Sequence, residues 1–194
     1  MWIDRERSES NVNIINKYSY GKYNIGLFDC LVDWKGHKVF IKAIDILIRK
    51  EGMKECKFFI VGDTPNKNNH LKKELISLVD KLSLSDYVIF AGYQSNVYPL
   101  MKKMDIVVHT SIRPEPFGRV IIEAMALDKP VIATDMGGPK EIIQNGINEI
   151  LILPNDPFKL AEVIVELLKN KEKMSYISEN AVKTVEKNSR WRNM

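Results

Sequence analysis

The sequence predicts an α/β fold, a Rossmann-like, doubly wound parallel sheet of six strands with helices on both faces. Three observations carry that prediction. Short runs rich in Val, Ile, Leu and Phe recur along the chain, stretches of helical period separate them, and the runs are nearly continuous rather than alternating. A strand covered on both faces has no solvent side for polar residues, which is the condition of a strand in a parallel sheet. With 194 residues, 45% of them hydrophobic and 28% charged, the chain is long enough for one well-buried core.

Residues 1–23 are polar and carry no clear period, so they read as a linker or entry segment. The predicted domain runs over 24–187, followed by a tail at 188–194 that reads as cut off in mid-course. Its first strand is NIGLF (24–28), followed by CKFFIVG (56–62), YVIFAG (87–92), MDIVVHT (104–110), PVIAT (130–134) and EILIL (149–153). Helices are predicted over 36–50, where Val39, Phe40, Ala43, Ile44 and Leu47 share a face, over 157–169, and over 173–187. In a strand order of 3-2-1-4-5-6, strands one and four flank the switch point, and ligands bind beyond their carboxyl ends. That directs attention to DCLVDWKG (29–36) and HTSIRPEPFGRVIIEAMA (109–126).

Composition excludes several classes. No run of about 18 apolar residues is present, and the first thirty residues lack a signal peptide's apolar core, so a cytoplasmic location is expected. The net charge of +4 comes from scattered cations, compatible with an anionic ligand or with peripheral association at the inner face of a membrane. No aromatic-basic pattern points to nucleic acid. Cys30 and Cys56 have no CxxC spacing and read as core thiols. His37, His70 and His109 form no ligand spacing, and no metal is expected; His109 reads as a plain strand-end residue. The first strand runs into DCLVDWKG rather than G-x-G-x-x-G, which disfavours a dinucleotide-dependent oxidoreductase.

The second loop holds the most suggestive chemistry. Pro114 and Pro116 stiffen it, Phe117 anchors it, and Gly118 opens a helix whose first free amides belong to Gly118, Arg119 and Val120. Those amides and the positive end of the helix dipole suit a phosphate. Glu123 falls about one and a half turns into the helix, where a carboxylate can accept from a ribose diol. Glu115 projects from a rigid Pro-Glu-Pro context towards whatever is joined to the phosphate, and Lys35, expected at the start of the next helix across the crevice, supplies a compact positive charge. The Gly137-Gly138-Pro139 turn lies beside the same crevice.

The segment EPFGRVIIEAMALDKPVIATDMGGPKEII (115–143) resembles the donor-site signature of glycosyltransferase family 4, retaining enzymes of the two-domain GT-B fold, with Glu115 and Glu123 forming its E-x7-E pattern. The resemblance extends through WKGHKVFIKAIDIL (34–47), FFIVGDTPN (58–66), YVIFAGY (87–93) and NDPFKLAEVIVELL (155–168). It implies the C-terminal, donor-binding half of a GT-B fold, with Glu115 on the donor sugar and Lys35 on the diphosphate as the catalytic groups. It places Glu123 on the ribose, the Gly118, Arg119 and Val120 amides on the distal phosphate, and Tyr93 near the nucleobase, with Phe117 and Gly138 completing the donor site. The implied activity is transfer of a hexosyl group from a nucleotide diphosphate sugar to a carbohydrate or lipid-linked acceptor, as in polysaccharide biosynthesis, without a metal. The acceptor-binding N-terminal domain is expected to be missing, so the chain alone should bind donor without transferring.

One departure stands out. Where many members read Gly-Arg a few residues before the lysine, this chain has Asp29 and Cys30, and a carboxylate there repels a diphosphate. That motivates an alternative, a degenerate nucleotide-sugar-binding or partner-docking module. A nucleotide-sugar epimerase on the same fold is the third reading.

Overall fold

The computed structural model describes residues 16–65 and 69–188. The six apolar runs form strands β1 (Tyr23–Phe28), β2 (Cys56–Val61), β3 (Val88–Gly92), β4 (Ile106–His109), β5 (Val131–Thr134) and β6 (Ile150–Ile152). Every neighbouring pair is parallel, in the order β3-β2-β1-β4-β5-β6. The expected doubly wound sheet is therefore present, with β1 and β4 side by side at the switch point.

Several strands end sooner than the sequence suggests, and the reasons are local. Met104 closes a turn onto Met101, so β4 begins at Ile106, and Thr110 leaves the strand because its hydroxyl donates to the Lys35 carbonyl. Glu149 does not open β6; its carboxylate turns back to accept from the Val131 amide.

Helices cover both faces: α1 (His37–Arg49), α2 (His70–Lys81), α3 (Tyr98–Met101), α4 (Arg119–Ala126), α5 (Pro139–Ile142), α6 (Pro157–Lys169) and α7 (Lys171–Lys187). Asp156 caps α6, its carboxylate accepting from the Lys159 amide at 2.8 Å, with Pro157 in the first turn. Asn170 then caps α7 from Lys173 at 2.9 Å, and for that reason the helix starts at Lys171, two residues before its apolar period is legible.

Alternation along each strand divides the core in two. Ile25, Leu27, Phe58 and Ile60 pack with Phe40 and Ile44 of α1 and Leu160 and Ile164 of α6. Phe59, Val61, Val107 and Ala133 pack with Ile121 and Met125 of α4 and Ala181 of α7. Of the predicted 1–23 segment, residues 1–15 lie outside the described residues, as do 189–194 of the tail. Tyr18 and Tyr20 pack against Phe59, with ring centroids 6.0 and 5.4 Å away. No helix among the described residues is long and apolar enough to cross a membrane.

Candidate functional site

Beyond the carboxyl ends of β1 and β4 lies an open crevice of roughly 600 Å³. Its first wall is the loop after β1. Residues Asp33–Lys35 form a single 3-10 turn, and Gly36 follows with φ 72° before α1 begins at His37. A Cβ at Gly36 would stand 1.8 Å from the Thr110 carbonyl oxygen, so glycine is required both by the left-handed backbone and by this close approach. Thr110 Oγ1 donates to the Lys35 carbonyl at 3.0 Å and the Ile112 amide to the Trp34 carbonyl at 2.7 Å, which ties the two loops together. Lys35 thus sits in the turn rather than at the start of the helix.

The second wall is Pro114-Glu115-Pro116 and the start of α4. Glu115 is fixed through its own backbone: it forms a parallel bridge with Gly137, and the Gly138 amide donates to its carbonyl at 2.6 Å. Gly138 is packed so closely that a Cβ would meet the Phe117 backbone at 2.7 Å. Gly138 accordingly supports the loop through the Phe117 backbone, the Phe117 side chain is exposed, and neither is among the crevice-lining residues, whereas Gly118, Arg119, Val120 and Glu123 are. Gly118 has φ 79° and no side chain among the described residues caps α4, so the amides of Arg119 and Val120 stay unspent, whereas Ile121 already donates to the Gly118 carbonyl at 3.0 Å. Arg119 pairs with Glu123 one turn on, at 3.4 Å.

The floor is an ion cluster. Lys35 is 8% exposed, and its Nζ lies 2.5 Å from Glu115 Oε2, 2.7 Å from Asp29 Oδ2 and 4.3 Å from the centre of the Trp34 ring. Burial works against the ammonium, but the hydrogen bonds it donates to Asp29 and Glu115 outweigh that and raise the Lys35 pKa. His109, then Lys35, hold the Glu115 carboxyl down to about 2 against the opposing effect of burial. Of these two, the Lys35 contact is the firmer, because His109 Nε2 stands 3.6 Å from Glu115 Oε2, beyond good hydrogen-bond length. His37, 2% exposed, is pushed down to about 4 by burial and by the neighbouring Lys35 charge, so it stays neutral near pH 7 and adds no second cation.

A third wall comes from the ends of β2 and β3. Tyr93 is 75% exposed there, while Gln94 is held by donating to the Ala91 carbonyl at 2.7 Å. The structure therefore gathers Lys35, Glu115, Glu123, Gly118, Arg119, Val120 and Tyr93 around one crevice. It also corrects two expectations. Cys30 is an exposed residue of the crevice wall and only Cys56 is a core thiol, because the chain turns outward after Asp29. His109 is no plain strand-end histidine: Asp29 and Glu115 face it, and the ligand atoms of all three lie within 4.8 Å of one another. Such a set could hold a metal only by displacing Lys35 Nζ, which already sits between the two carboxylates. His109 ends β4 and Cys30 follows β1 by two residues at the switch point, and that position was the signal available in the sequence.

The family described as glycosyl transferases group 1 matches residues 21–184. An uncharacterized glycosyltransferase of Methanocaldococcus jannaschii is 38% identical over 173 residues, covering 87% of this chain and 46% of that protein. Among solved structures, the Anabaena protein HepE in complex with UDP and glucose superposes with a TM-score of 0.80 and 31% identity, covering 93% of this chain and 47% of that one. A C-terminal domain of a group 1 glycosyl transferase, LpcC from Francisella tularensis, superposes with a TM-score of 0.79 and 28% identity, covering 92% of each chain. The chain thus spans about half the length of the first two and nearly all of the third.

Proposed function

This chain belongs to the glycosyl transferases group 1 family, and on that premise we propose that it forms the donor site of a retaining hexosyltransferase of family 4. The donor is a nucleotide diphosphate sugar and the acceptor a carbohydrate or lipid-linked chain, bound by an N-terminal domain outside this sequence. The observation that carries the reading is the buried Lys35 at the switch point, paired with Glu115 and facing the uncapped start of α4. HepE, of the same fold, is known in complex with UDP-glucose, which makes uridine nucleotides the first donors to try.

In this reading the nucleotide lies along the third wall, with Tyr93 beside the base and Glu123 accepting from the ribose hydroxyls. The diphosphate spans the crevice from Lys35 to the amides of Gly118, Arg119 and Val120. During transfer the bond from the anomeric carbon to the phosphate oxygen breaks, and its electron pair leaves with the diphosphate. Lys35 and the α4 amides are aimed at that growing charge, so they bind the transition state more tightly than the donor. Glu115, ionised because of its neighbours, accepts from sugar hydroxyls and orients the anomeric carbon. The acceptor oxygen forms the new bond on the face the diphosphate leaves, and its proton passes to the departing phosphate oxygen. No step needs a metal, and the work is carried out on the cytoplasmic side, at the membrane surface if the acceptor is lipid-linked.

Asp29 favours a second reading, a nucleotide-sugar-binding module without activity of its own, because its carboxylate engages the lysine that the diphosphate needs. Calorimetric titration with UDP, GDP, ADP and their common sugars, repeated on Lys35→Ala and Glu123→Ala, tests the donor site. Selective binding of one nucleotide, weakened in both variants, supports it; no binding at millimolar concentration rejects it. Adding the N-terminal domain and assaying transfer then separates enzyme from module, and release of a 2-epimerised free sugar instead would point to an epimerase.

A further inference from the structure

We propose that Asp29 is a specificity-determining residue that makes the crevice prefer an intact nucleotide sugar over the nucleoside diphosphate left after transfer. The inference rests on the donor-site reading and adds to it a role for the residue that departs most from the resemblance. Counted locally, Lys35 brings one positive charge, and Asp29 and Glu115 bring two negative ones, all within 2.7 Å of its Nζ. Two of the ammonium's three N–H groups are thereby engaged, leaving one for a phosphate oxygen.

Asp29 cannot withdraw by moving its loop. Its amide donates to the Val61 carbonyl at 2.9 Å, and its own carbonyl lies so near Gly62 that a Cβ there would stand 1.9 Å away. Its Oδ1 accepts from the Cys30 amide at 2.9 Å while Oδ2 faces Lys35, so the carboxylate is held from both sides. The side chain is 15% exposed, so solvent screens it poorly.

Repulsion from a fixed charge scales with the charge of the arriving group. A free diphosphate exposes a terminal phosphate whose second ionisation lies near pH 6, so at pH 7.5 it carries about one more negative charge than the same diphosphate esterified to a sugar. Asp29 therefore weakens both ligands but weakens the product more. Its consequence is a donor site that releases its nucleoside diphosphate readily.

The test is calorimetry at pH 7.5 with UDP against UDP-glucose, and GDP against GDP-mannose alongside, on the wild type, Asp29→Asn and Asp29→Gly. Asparagine keeps an acceptor for the Cys30 amide, and thermal melts check that each variant is folded. Removing the charge should tighten UDP by roughly tenfold to a hundredfold and UDP-glucose by several-fold less, so that the ratio of the two dissociation constants shifts towards the product. Equal tightening of both ligands, no change, or weakening of both would overturn the proposal while leaving the donor site standing. If no protein binds either pair, the donor reading fails and this inference with it. Each titration is repeated with magnesium and with a chelator; a magnesium-dependent gain in the wild type that Asp29→Asn loses would also overturn it, in favour of a cation bridging Asp29 and the diphosphate.

Discussion

Glu115 and Glu149 stand at opposite ends of the same sheet; burial pushes both carboxyls up, yet their pKa values shift in opposite directions. Glu115 lies beyond the carboxyl ends of β1 and β4 with Lys35 at 2.5 Å, and its pKa is held down to about 2. Glu149 precedes β6 at the amino-terminal end, fully buried, with one oxygen accepting from the Val131 amide and the other without a partner among the described residues. Burial pushes its pKa well above the ordinary 4.5, and the single amide offsets that only in part. The difference teaches that burial does not decide whether a carboxylate is charged; the partners delivered by other elements do. The crevice end supplies its carboxylate with a cation, while the far end gives its buried carboxyl only the Val131 amide, at the join between β5 and β6, and so leaves its pKa raised.

The largest effect expected is at Lys35. Lys35→Ala leaves Asp29 and Glu115 facing each other without a cation, which should cost about 3–5 kcal/mol in urea denaturation. Stability unchanged in this variant would mean that the floor is no more integrated than an ordinary surface pair.

Next comes Glu149→Gln, which removes the proton-uptake penalty from the other end. Between 4.5 and its raised native pKa, folded Glu149 holds a proton the unfolded chain has lost, so its contribution to stability falls as pH rises through that window. The variant should therefore gain about 1–2 kcal/mol at pH 8, a few degrees in Tm, with the gain vanishing as pH approaches 4.5. A gain that stays constant with pH would break the contrast.

Glu115 has the opposite sign. Its stabilisation is present above the unfolded value of 4.5 and is lost as pH falls towards 2. Glu115→Gln should flatten the acid limb of a stability-pH profile in that window by about 1 kcal/mol, allowing for solvent screening, and in the full-length enzyme should lower kcat about a hundredfold. The smallest stability change is expected at the rim. Glu123→Ala loses an exposed pairing with Arg119 and should shift stability by less than about 0.5 kcal/mol, while weakening nucleotide binding roughly tenfold.

Much of this was legible in the sequence, and unevenly so. The strands were readable because residues such as Phe58, Phe59, Ile60 and Val61 must each be covered on one face or the other, which leaves a continuous apolar run. Strand ends were less readable, since Thr110 and Glu149 leave their strands through bonds to Lys35 and Val131, partners remote in the chain. The start of α4 was announced by Gly118 and the prolines before it. Phe117 and Gly138 lay in that same motif, yet the packing of Gly138 on the Phe117 backbone depends on a backbone bridge between Glu115 and Gly137.

The sequence by itself determined the layer architecture and marked the two loops that meet at the switch point, because periodicity and turn residues act over a few neighbouring positions; the strand order was that of the Rossmann-like class. What only the tertiary structure decided is the electrostatic state of the site. Lys35 and Glu115 are separated by 80 residues and meet at 2.5 Å, and Asp29, which reads along the chain as a charge opposed to phosphate, becomes the second partner of that lysine. Charges act through space and through the dielectric around them, and neither distance nor burial between remote residues is written in their order along the chain.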